Sequence, residues 1–356
     1  MSASTDGCWF CGRESILFDM PVIEIKNLVK SYRVYQKTEG LAASVKGLFK
    51  REYNNVEAVK NIDLEVEEGE FVAFLGPNGA GKTTTLKLLS GVINPDSGTC
   101  SVMGFTPWER RNEYRRRFAL VMGQKNQLWW DLPAAESFRL NQHIYGVPVE
   151  KFNQTKDELC DLLDVNRLLN QPVRELSLGE RMKMELIAAL LHQPEVLFLD
   201  EPTIGLDVVA QHKIQEFLKH YQQKQKTTIL LTSHYMKDIE ALCKRVVIIA
   251  GGEIYHDGSL EGIVDKFSGN KIVTLQLSNA SSLGALRSLP NVIEVEEPKI
   301  KFRVSRERVG EVLAGIFESH SVDDIVVEDP PLEEVISNVF SAAEEKKHSP
   351  TGATSV

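Results

Sequence analysis

The feature that most narrows what this chain can become is the run Gly76-Pro77-Asn78-Gly79-Ala80-Gly81-Lys82-Thr83, a full match to G-x-x-x-x-G-K-[ST]. The apolar run Phe71–Leu75 leads into it and a helical pattern, Thr85–Ser90, follows, so it lies where a strand turns into a helix. Small residues let successive backbone N–H groups curl round an anion, and the helix N-terminus adds positive dipole. In such a loop Lys82 is expected to reach the β- and γ-phosphates of a nucleotide, Thr83 to ligate Mg2+ and Thr84 to bond the α-phosphate. A glycine turn of purely structural use has no need of the lysine, the hydroxyl and both flanking elements together.

What surrounds this loop is an α/β pattern, with short apolar runs alternating with helical ones. Strand-like runs are Val22–Leu28, Ile62–Val66, Phe71–Leu75, Phe118–Met122, Val196–Leu199, Thr228–Thr232 and Val246–Ile249. Those containing Leu75, Leu199 and Thr232 are nearly all apolar, as parallel strands covered on both faces are. Ligands of such sheets sit beyond the carboxyl ends of the strands, which directs attention to the residues just after these three. Residues 125–175 read as an inserted helical subdomain, with helices over Glu136–Tyr145 and Val149–Leu163.

The strand Val196–Leu199 ends in Asp200-Glu201. Asp200 is expected next to the phosphate loop, where a carboxylate holds Mg2+ through its water shell, and Glu201 is the candidate to polarise an attacking water. Further back, Ser177-Leu178-Gly179-Glu180 precedes the periodic apolar residues Met182, Leu186, Ala189 and Leu190, which reads as a capping box opening a helix. Its serine hydroxyl can accept a backbone N–H and still donate to a phosphate oxygen, and Gly179 allows close approach. A plain helix cap is the simpler reading of these four residues taken alone.

The chain has 356 residues, 42% apolar and 26% charged, which excludes wholesale disorder and leaves room for roughly two to three domains. No run approaches the roughly 18 apolar residues that span a bilayer, so this polypeptide is not by itself a membrane channel. Lys plus Arg number 41 against 50 Asp plus Glu, a net charge of −9, which argues against a nucleic-acid coat. Five scattered cysteines make no disulfide framework. Cys8 and Cys11 form a C-x-x-C pair without the second pair or histidines of a zinc site, and read as a stray pair in a disordered leader, residues 1–21. That leader lacks a signal peptide's basic start and apolar core, and Met20, directly before Val22-Ile23-Glu24-Ile25, is a candidate translation start.

Residues Arg33 to Asn55 interrupt the strands with Lys46, Lys50 and Arg51 among Leu41, Val45, Leu48 and Phe49 at helical spacing. They read as a surface hairpin insertion with a small helix, or as a basic amphipathic helix able to touch membrane. After about Gly269 the pattern becomes strand Lys271–Leu277, helix Ser282–Leu289, strands Val292–Glu297 and Ile300–Val304, helix Arg306–Glu318 and strand Val322–Val327. This β-α-β-β-α-β order suggests a small ferredoxin-like domain. Pro330-Pro331 introduces a last helix, Leu332–Ala343, and 344–356 reads as a disordered tail.

Taken in order, these residues resemble the ATP-binding subunits of ABC transporters over roughly 22–265: Tyr32, the phosphate loop, Gln124, the signature Leu176-Ser177-Leu178-Gly179-Glu180-Arg181, Asp200-Glu201, the Gly205-Leu206-Asp207 turn and His234. Seven short patterns in register are far more specific than any one. The fold implied is a P-loop NTPase of the ABC ATPase type with an inserted helical subdomain, residues 22–268, followed by a small C-terminal α+β domain, residues 269–343. By the resemblance, Gly76 through Thr84 hold ATP and Tyr32 stacks on adenine, although the insertion after Arg33 and the nearby Tyr35 and Tyr53 also allow an ordinary strand tyrosine. Thr83, Gln124 and Asp200 attend Mg2+, Glu201 and His234 hold the attacking water, and Asp207 lies across a dimer seam. Ser177, Gly179 and Glu180 address the γ-phosphate bound to an opposite subunit, a second copy or a similar paralogue, arranged head to tail. The signature departs from the commoner form, which has a second glycine and a glutamine where Leu178 and Glu180 stand. Glu180 adds negative charge near the triphosphate.

The resemblance further implies a peripheral place on the cytoplasmic face of the membrane and a separate integral membrane permease. The single nucleotide-binding unit, the extra domain and the closing Pro330-Pro331-Leu332-Glu333-Glu334-Val335 resemble subunits of two-component exporters of the type-two class. The docking surface expected is Leu128-Trp129-Trp130-Asp131-Leu132-Pro133, unless the tryptophans pack inside the helical subdomain. Arg110, Arg111, Arg115, Arg116 and Arg117 read as a solvated face rather than a lipid contact. A soluble ABC ATPase acting on ribosomes or DNA is the alternative, disfavoured by one ATPase unit per chain and no sustained heptads; a nucleotide-gated regulator with negligible turnover is a third.

Overall fold

The computed structural model describes residues 21–35, 53–233, 235–278 and 291–348. The leader with Cys8 and Cys11, the basic insertion from 36 to 52, His234, the Ser282–Leu289 helix and the end of the tail lie outside the described residues. Along the chain run β1 (Ile23–Tyr35), β2 (Tyr53–Val66), β3 (Phe71–Leu75), α1 (Lys82–Leu89), β4 (Ser97–Val102), α2 (Asn112–Arg115) and β5 (Phe118–Met122). Then come α3 (Ala134–Tyr145), α4 (Val149–Leu163), α5 (Leu178–Leu190), β6 (Val196–Asp200), α6 (Val208–Gln225), β7 (Thr228–Thr232), α7 (Met236–Leu242), β8 (Arg245–Ala250), β9 (Glu253–Ser259) and α8 (Leu260–Phe267). The C-terminal part holds β10 (Asn270–Leu277), β11 (Val292–Glu296), β12 (Lys299–Ser305), α9 (Val309–Ser319), β13 (Val322–Glu328) and α10 (Leu332–His348).

The central sheet has the order β5-β6-β7-β3-β8-β9, parallel except for the antiparallel edge strand β9. Its apolar strands work on both faces, because successive side chains point to opposite sides. Val72, Phe74, Val196, Phe198, Leu230, Val247 and Ile249 pack with α1 and the antiparallel sheet β2-β1-β4. Ala73, Leu75, Leu197, Leu199, Ile229, Leu231, Val246 and Ile248 pack with the helices of the other side, including Phe138, Phe152 and Leu159 of the helical subdomain. β7 lies between β3 and β6, so the Asp200 strand is one strand removed from the strand that feeds the phosphate loop, and Asp200 comes beside that loop across β7.

β1 and β2 are longer than their apolar runs suggest. They extend as a hairpin whose arms pair as far as Tyr35 opposite Tyr53, with mostly exposed residues, Tyr32, Val34, Tyr53 and Val56 among them, beyond Lys30. β4, Ser97-Gly98-Thr99-Cys100-Ser101-Val102, escapes sequence reading because small polar residues give no periodic signal; β1 supplies its pairing.

The C-terminal sheet has the order β11-β12-β10-β13, with every neighbouring pair antiparallel. That is the strand order of a ferredoxin-like fold. Its core of Val273, Leu275, Ile300, Phe302 and Val304 is closed by Ile316 of α9. The last helix behaves otherwise. Leu332, Val335, Ile336 and Val339 form an i, i+3, i+4, i+7 stripe that joins the core beneath the central sheet, not the sheet that precedes it. The ion pair between Arg303 and Glu334, 2.7 Å, ties that helix to the C-terminal sheet. α10 also runs to His348, past the expected end at Ala343, since Glu344, Glu345, Lys346 and Lys347 are good helix formers.

Candidate functional site

Gly76–Gly81 turn β3 into α1 with two positions that only glycine satisfies. A Cβ on Gly76 would stand 2.1 Å from the Ile249 carbonyl oxygen, and one on Gly81, whose φ is +111°, would stand 2.4 Å from the Ala58 oxygen. The loop is therefore pressed between β8 on one side and β2 on the other. Lys82, the first residue of α1, is buried, and its Nζ donates to the carbonyl oxygens of Gly76 at 2.5 Å and Pro77 at 3.1 Å. Burial holds its ammonium below the ordinary lysine range, while Glu201 and Asp200 pull it back up.

Asp200 reaches the loop from across β7. Thr83 Oγ1 lies 3.0 Å from both Asp200 carboxylate oxygens. Thr232, paired with Asp200 in the sheet register, donates its hydroxyl to Asp200 Oδ1 at 2.7 Å. The same residue receives the Glu201 N–H, at 3.0 Å on its carbonyl oxygen and 3.1 Å on its hydroxyl. Thr232 thus orients both acidic residues, a role sequence reasoning missed. Its one signal is a hydroxyl residue at the carboxyl end of the strand, after the apolar Ile229-Leu230-Leu231. Glu201 itself adopts φ +53°, an unusual backbone for a non-glycine residue, which turns the chain sharply after the strand. Gly123 donates its N–H to the Asp200 oxygen at 2.8 Å, and a Cβ there would meet the Glu201 oxygen at 2.1 Å. Gln124, exposed, follows directly. The sheet accordingly gathers Lys82, Thr83, Asp200, Glu201 and the Gln124 turn at one end. Thr84 lies partly exposed in the first turn of α1.

Ser177, Gly179, Glu180 and Asp207 form a separate group. Ser177 caps α5: its hydroxyl oxygen accepts the Glu180 N–H at 3.3 Å, and Glu180 Oε2 accepts both the Ser177 N–H at 3.0 Å and its hydroxyl at 2.8 Å. The capping box is therefore complete. It holds the Glu180 carboxyl below the ordinary glutamate range, through the backbone bond first and the hydroxyl second. Asp207 caps α6 by accepting the Ala210 N–H at 2.8 Å. The two helix starts touch, since a Cβ on Gly179 would be 3.0 Å from that of Ala210 and one on Gly205 would be 3.1 Å from Leu178 Cδ2.

Tyr32 is 37% exposed and pairs with Val56, two residues from the Ala58 that abuts Gly81. Its strand pair therefore runs beside the phosphate loop. Trp129 and Trp130 are 50% and 45% exposed, so neither is packed away inside the helical subdomain. The Arg181 guanidinium sits 5.5 Å from the centre of the Trp130 ring, which joins this surface to the helix behind Ser177. That helix carries a second unforeseen residue. Glu185, buried, accepts the N–H groups of Gln127 at 2.9 Å and Leu128 at 3.4 Å, holding the segment after Gln124. The arginines between 110 and 117 spend much of their charge locally, Arg110 on the Gly91 and Val92 carbonyls, Arg111 on Glu109 and Arg117 on Glu195.

Oxygen atoms of a threonine hydroxyl and a carboxylate, 3.0 Å apart, are a hard donor set that suits Mg2+. Among the described residues no group of three or more His, Cys, Asp or Glu is placed to hold a metal, and Mg2+ commonly takes its other ligands from phosphate and water.

A family model described as ABC transporter matches residues 59–204, and one described as EvrA-like ABC transporter, C-terminal domain, matches residues 269–328. The linearmycin resistance ATP-binding protein LnrL of Bacillus subtilis (strain 168) is 30% identical over 82% of this chain and 96% of its own length. The ABC transporter ATP-binding protein NatA of the same organism is 33% identical, over 59% of this chain and 85% of its own length. The Nod factor export ATP-binding protein I of Cupriavidus pinatubonensis (strain JMP 134 / LMG 1197) is 34% identical over 69% and 75%. A solved structure described as the ATP binding subunit of an ABC transporter superposes with a TM-score of 0.58 at 28% identity, over 69% of this chain and 93% of that one. The ATP-binding cassette MJ0796 bound to ADP and Pi shares the fold, with a TM-score of 0.56 at 23% identity over 67% and 98%. A chain that matches LnrL over nearly the whole of that protein, and folds its phosphate loop as described, belongs to the ATP-binding proteins of ABC transporters and carries an EvrA-like C-terminal domain.

Proposed function

We propose that this ATP-hydrolysing transporter subunit is Mg2+-dependent, works as a head-to-tail pair and powers export through a separate membrane permease. The observation that carries the reading is the Thr83–Asp200 contact at 3.0 Å, directly after the buried Lys82 and with Glu201 next along the chain from Asp200. Thr83 and Asp200 would hold Mg2+ between them, with Gln124 beside them; bound there, the metal neutralises charge on the terminal phosphates. The backbone of Gly76–Gly81 and the Thr84 side chain cradle the phosphates, and Tyr32 stacks on the adenine. Lys82 transfers its ammonium from the Gly76 and Pro77 carbonyls to the β- and γ-phosphate oxygens, a short move for a group already poised over the loop. Glu201, with His234, orients the attacking water in line.

Ser177, Gly179 and Asp207 serve the partner's nucleotide, the partner being a second copy or a similar paralogue. The touching starts of α5 and α6 place these three on one surface, which supports their acting together. The Ser177 hydroxyl is given to Glu180 Oε2 in the cap, so bonding a γ-phosphate requires that proton to swing from carboxylate to phosphate. Glu180 therefore tunes how readily the pair closes. The half-exposed Trp129 and Trp130 are proposed to receive a short cytoplasmic helix of the permease, which places the chain peripherally on the cytoplasmic face of the membrane. Consistent with a separate permease, no helix among the described residues is long and apolar enough to cross a membrane. The division proposed is an ATPase unit over 22–268 to which the last helix returns, and an accessory unit over 269–328 between them.

Glu201→Gln is the test. The variant is expected to bind ATP as the native chain does, to release no phosphate and to accumulate as a closed dimer. Phosphate release at the native rate would refute Glu201 as the water-orienting residue. Mild-detergent pulldown tests the permease: a co-purifying multi-span protein supports it, and RNase- or DNase-sensitive association replaces it with a ribosome or DNA target.

A further inference from the structure

Outside the groups already assigned, one buried carboxyl joins the segments that carry Glu201, Asp207 and His234. Asp238, on α7, is 1% exposed. Its Oδ2 accepts the hydroxyl of Thr203 and, at 3.1 Å, that of Ser233, while its Oδ1 accepts Gln215 Nε2 at 2.6 Å. Thr203 lies two residues after Glu201 in the sharp turn beyond β6. Ser233 directly follows β7 and immediately precedes His234. Gln215 belongs to α6, the helix that Asp207 caps. Thr203 and Ser233 are themselves 1% exposed, so water cannot substitute for a lost bond at either. The turn is gripped again where Gln211 Nε2 approaches the Thr203 oxygen at 3.4 Å, and Ser233 fixes the chain beyond His234 by accepting the Tyr235 N–H at 3.0 Å.

We propose that Asp238 is a positioning residue for ATP hydrolysis, one carboxyl group that sets the Glu201 turn, the strand end before His234 and the Asp207 helix in a fixed mutual arrangement. The proposal rests on the reading of Glu201 and His234 as the water-orienting pair. Two groups that must hold one water from different strand ends need their backbones registered to a fraction of an ångström, and a misplacement of about 1 Å is worth roughly a hundredfold in rate. β6 and β7 register the strands only as far as Asp200 and Thr232. One further backbone bond, from the Glu201 N–H to the Thr232 carbonyl oxygen at 3.0 Å, follows that register; beyond it the Asp238 hub holds the turn and the strand end together. Being off the phosphate loop, it acts on turnover and not on nucleotide affinity.

The test uses the full chain and three variants. Asp238→Ala removes all three bonds; Thr203→Val with Ser233→Ala removes the two hydroxyl donors while sparing the carboxyl group, and stands in if the first variant fails to fold. Asp238→Asn is the rescue, because its amide oxygen can accept from both hydroxyls while its NH2 donates to a flipped Gln215 amide. Hydrogen–deuterium exchange, which needs no turnover, is expected to rise in peptides covering 201–210 and 228–236 in the first two variants and to stay near native in the rescue. With ATP and Mg2+, kcat is expected to fall at least tenfold in the first two, with nucleotide affinity and KM within about twofold, and to return within about threefold of native in Asp238→Asn. Unchanged exchange, or native kcat in the double variant, would overturn the role of Asp238. The Glu201 reading fails by a different sign: phosphate release by Glu201→Gln at the native rate, whatever the exchange pattern shows.

Discussion

Replacing Gly76 by alanine isolates how tightly the phosphate loop is set by the sheet behind it. The new Cβ would lie 2.1 Å from the Ile249 carbonyl oxygen and 3.1 Å from the Ala80 Cβ. A carbon and a carbonyl oxygen in contact stand about 3.3 Å apart, so loop and strand must separate by about 1.2 Å. Ile249 belongs to β8, which is bonded to β3 on one side and β9 on the other, and so the loop does most of the moving. Overpacking of this kind costs about 1–3 kcal/mol, while a shift of about 1 Å in groups that position phosphates costs about a hundredfold in rate. Gly76→Ala is therefore expected to lower thermal stability by a few degrees, to weaken ATP binding and to cut phosphate release by about two orders of magnitude. Gly146→Ala is the control. That residue, at φ +66°, ends α3 with nothing within 4 Å of its added Cβ, so it is expected to lose about 1 kcal/mol to backbone strain and no activity. Nucleotide affinity by titration, phosphate release and thermal unfolding on both variants decide the matter. Native affinity and turnover in Gly76→Ala would refute the claim that β8 fixes the loop.

Burial pushes the Glu185 carboxyl above the ordinary glutamate range, against the pull of the Gln127 and Leu128 N–H groups and of Arg181. A raised folded value means that the folded state binds the proton more tightly, so the contribution of Glu185 to stability is full below the unfolded value near 4.3 and is lost as pH rises through the folded one. Glu185→Gln keeps an oxygen for both N–H groups; unfolding at pH 5 and pH 8 is expected to show a smaller loss between the two than the native chain, and an unchanged pH dependence would contradict this. Trp129→Ala and Trp130→Ala are each expected to release the co-purifying membrane protein while leaving thermal stability nearly native, because both side chains are half exposed; retention in the pulldown would remove this surface from the docking proposal.

Much of the fold was legible because its signals are local. The phosphate loop needs only glycines, a lysine and a threonine between a strand and a helix, and the Ser177–Glu180 cap is closed within four residues, so both are written in consecutive sequence. The strands ending at Leu75, Asp200 and Thr232 announce burial on both faces by being nearly all apolar. The order of elements after Gly269 likewise foretold the C-terminal sheet, since alternation of periods survives without knowledge of contacts. His234, for its part, lies outside the described residues.

Tertiary structure alone decided whatever depends on partners distant in the chain. No local pattern shows that β7 separates β3 from β6, that polar β4 is a strand because β1 pairs with it, or that the stripe from Leu332 to Val339 turns back to the core beneath the central sheet. Nor does an aspartate at 238, a glutamate at 185 or a threonine at 232 differ, in sequence, from a solvated residue or an ordinary strand end. Each has a donor or acceptor between 23 and 58 residues away, brought within hydrogen-bond reach only when the sheet closes. Sequence fixes what a residue is able to bond; folding selects, by excluding water, which of those bonds it must make.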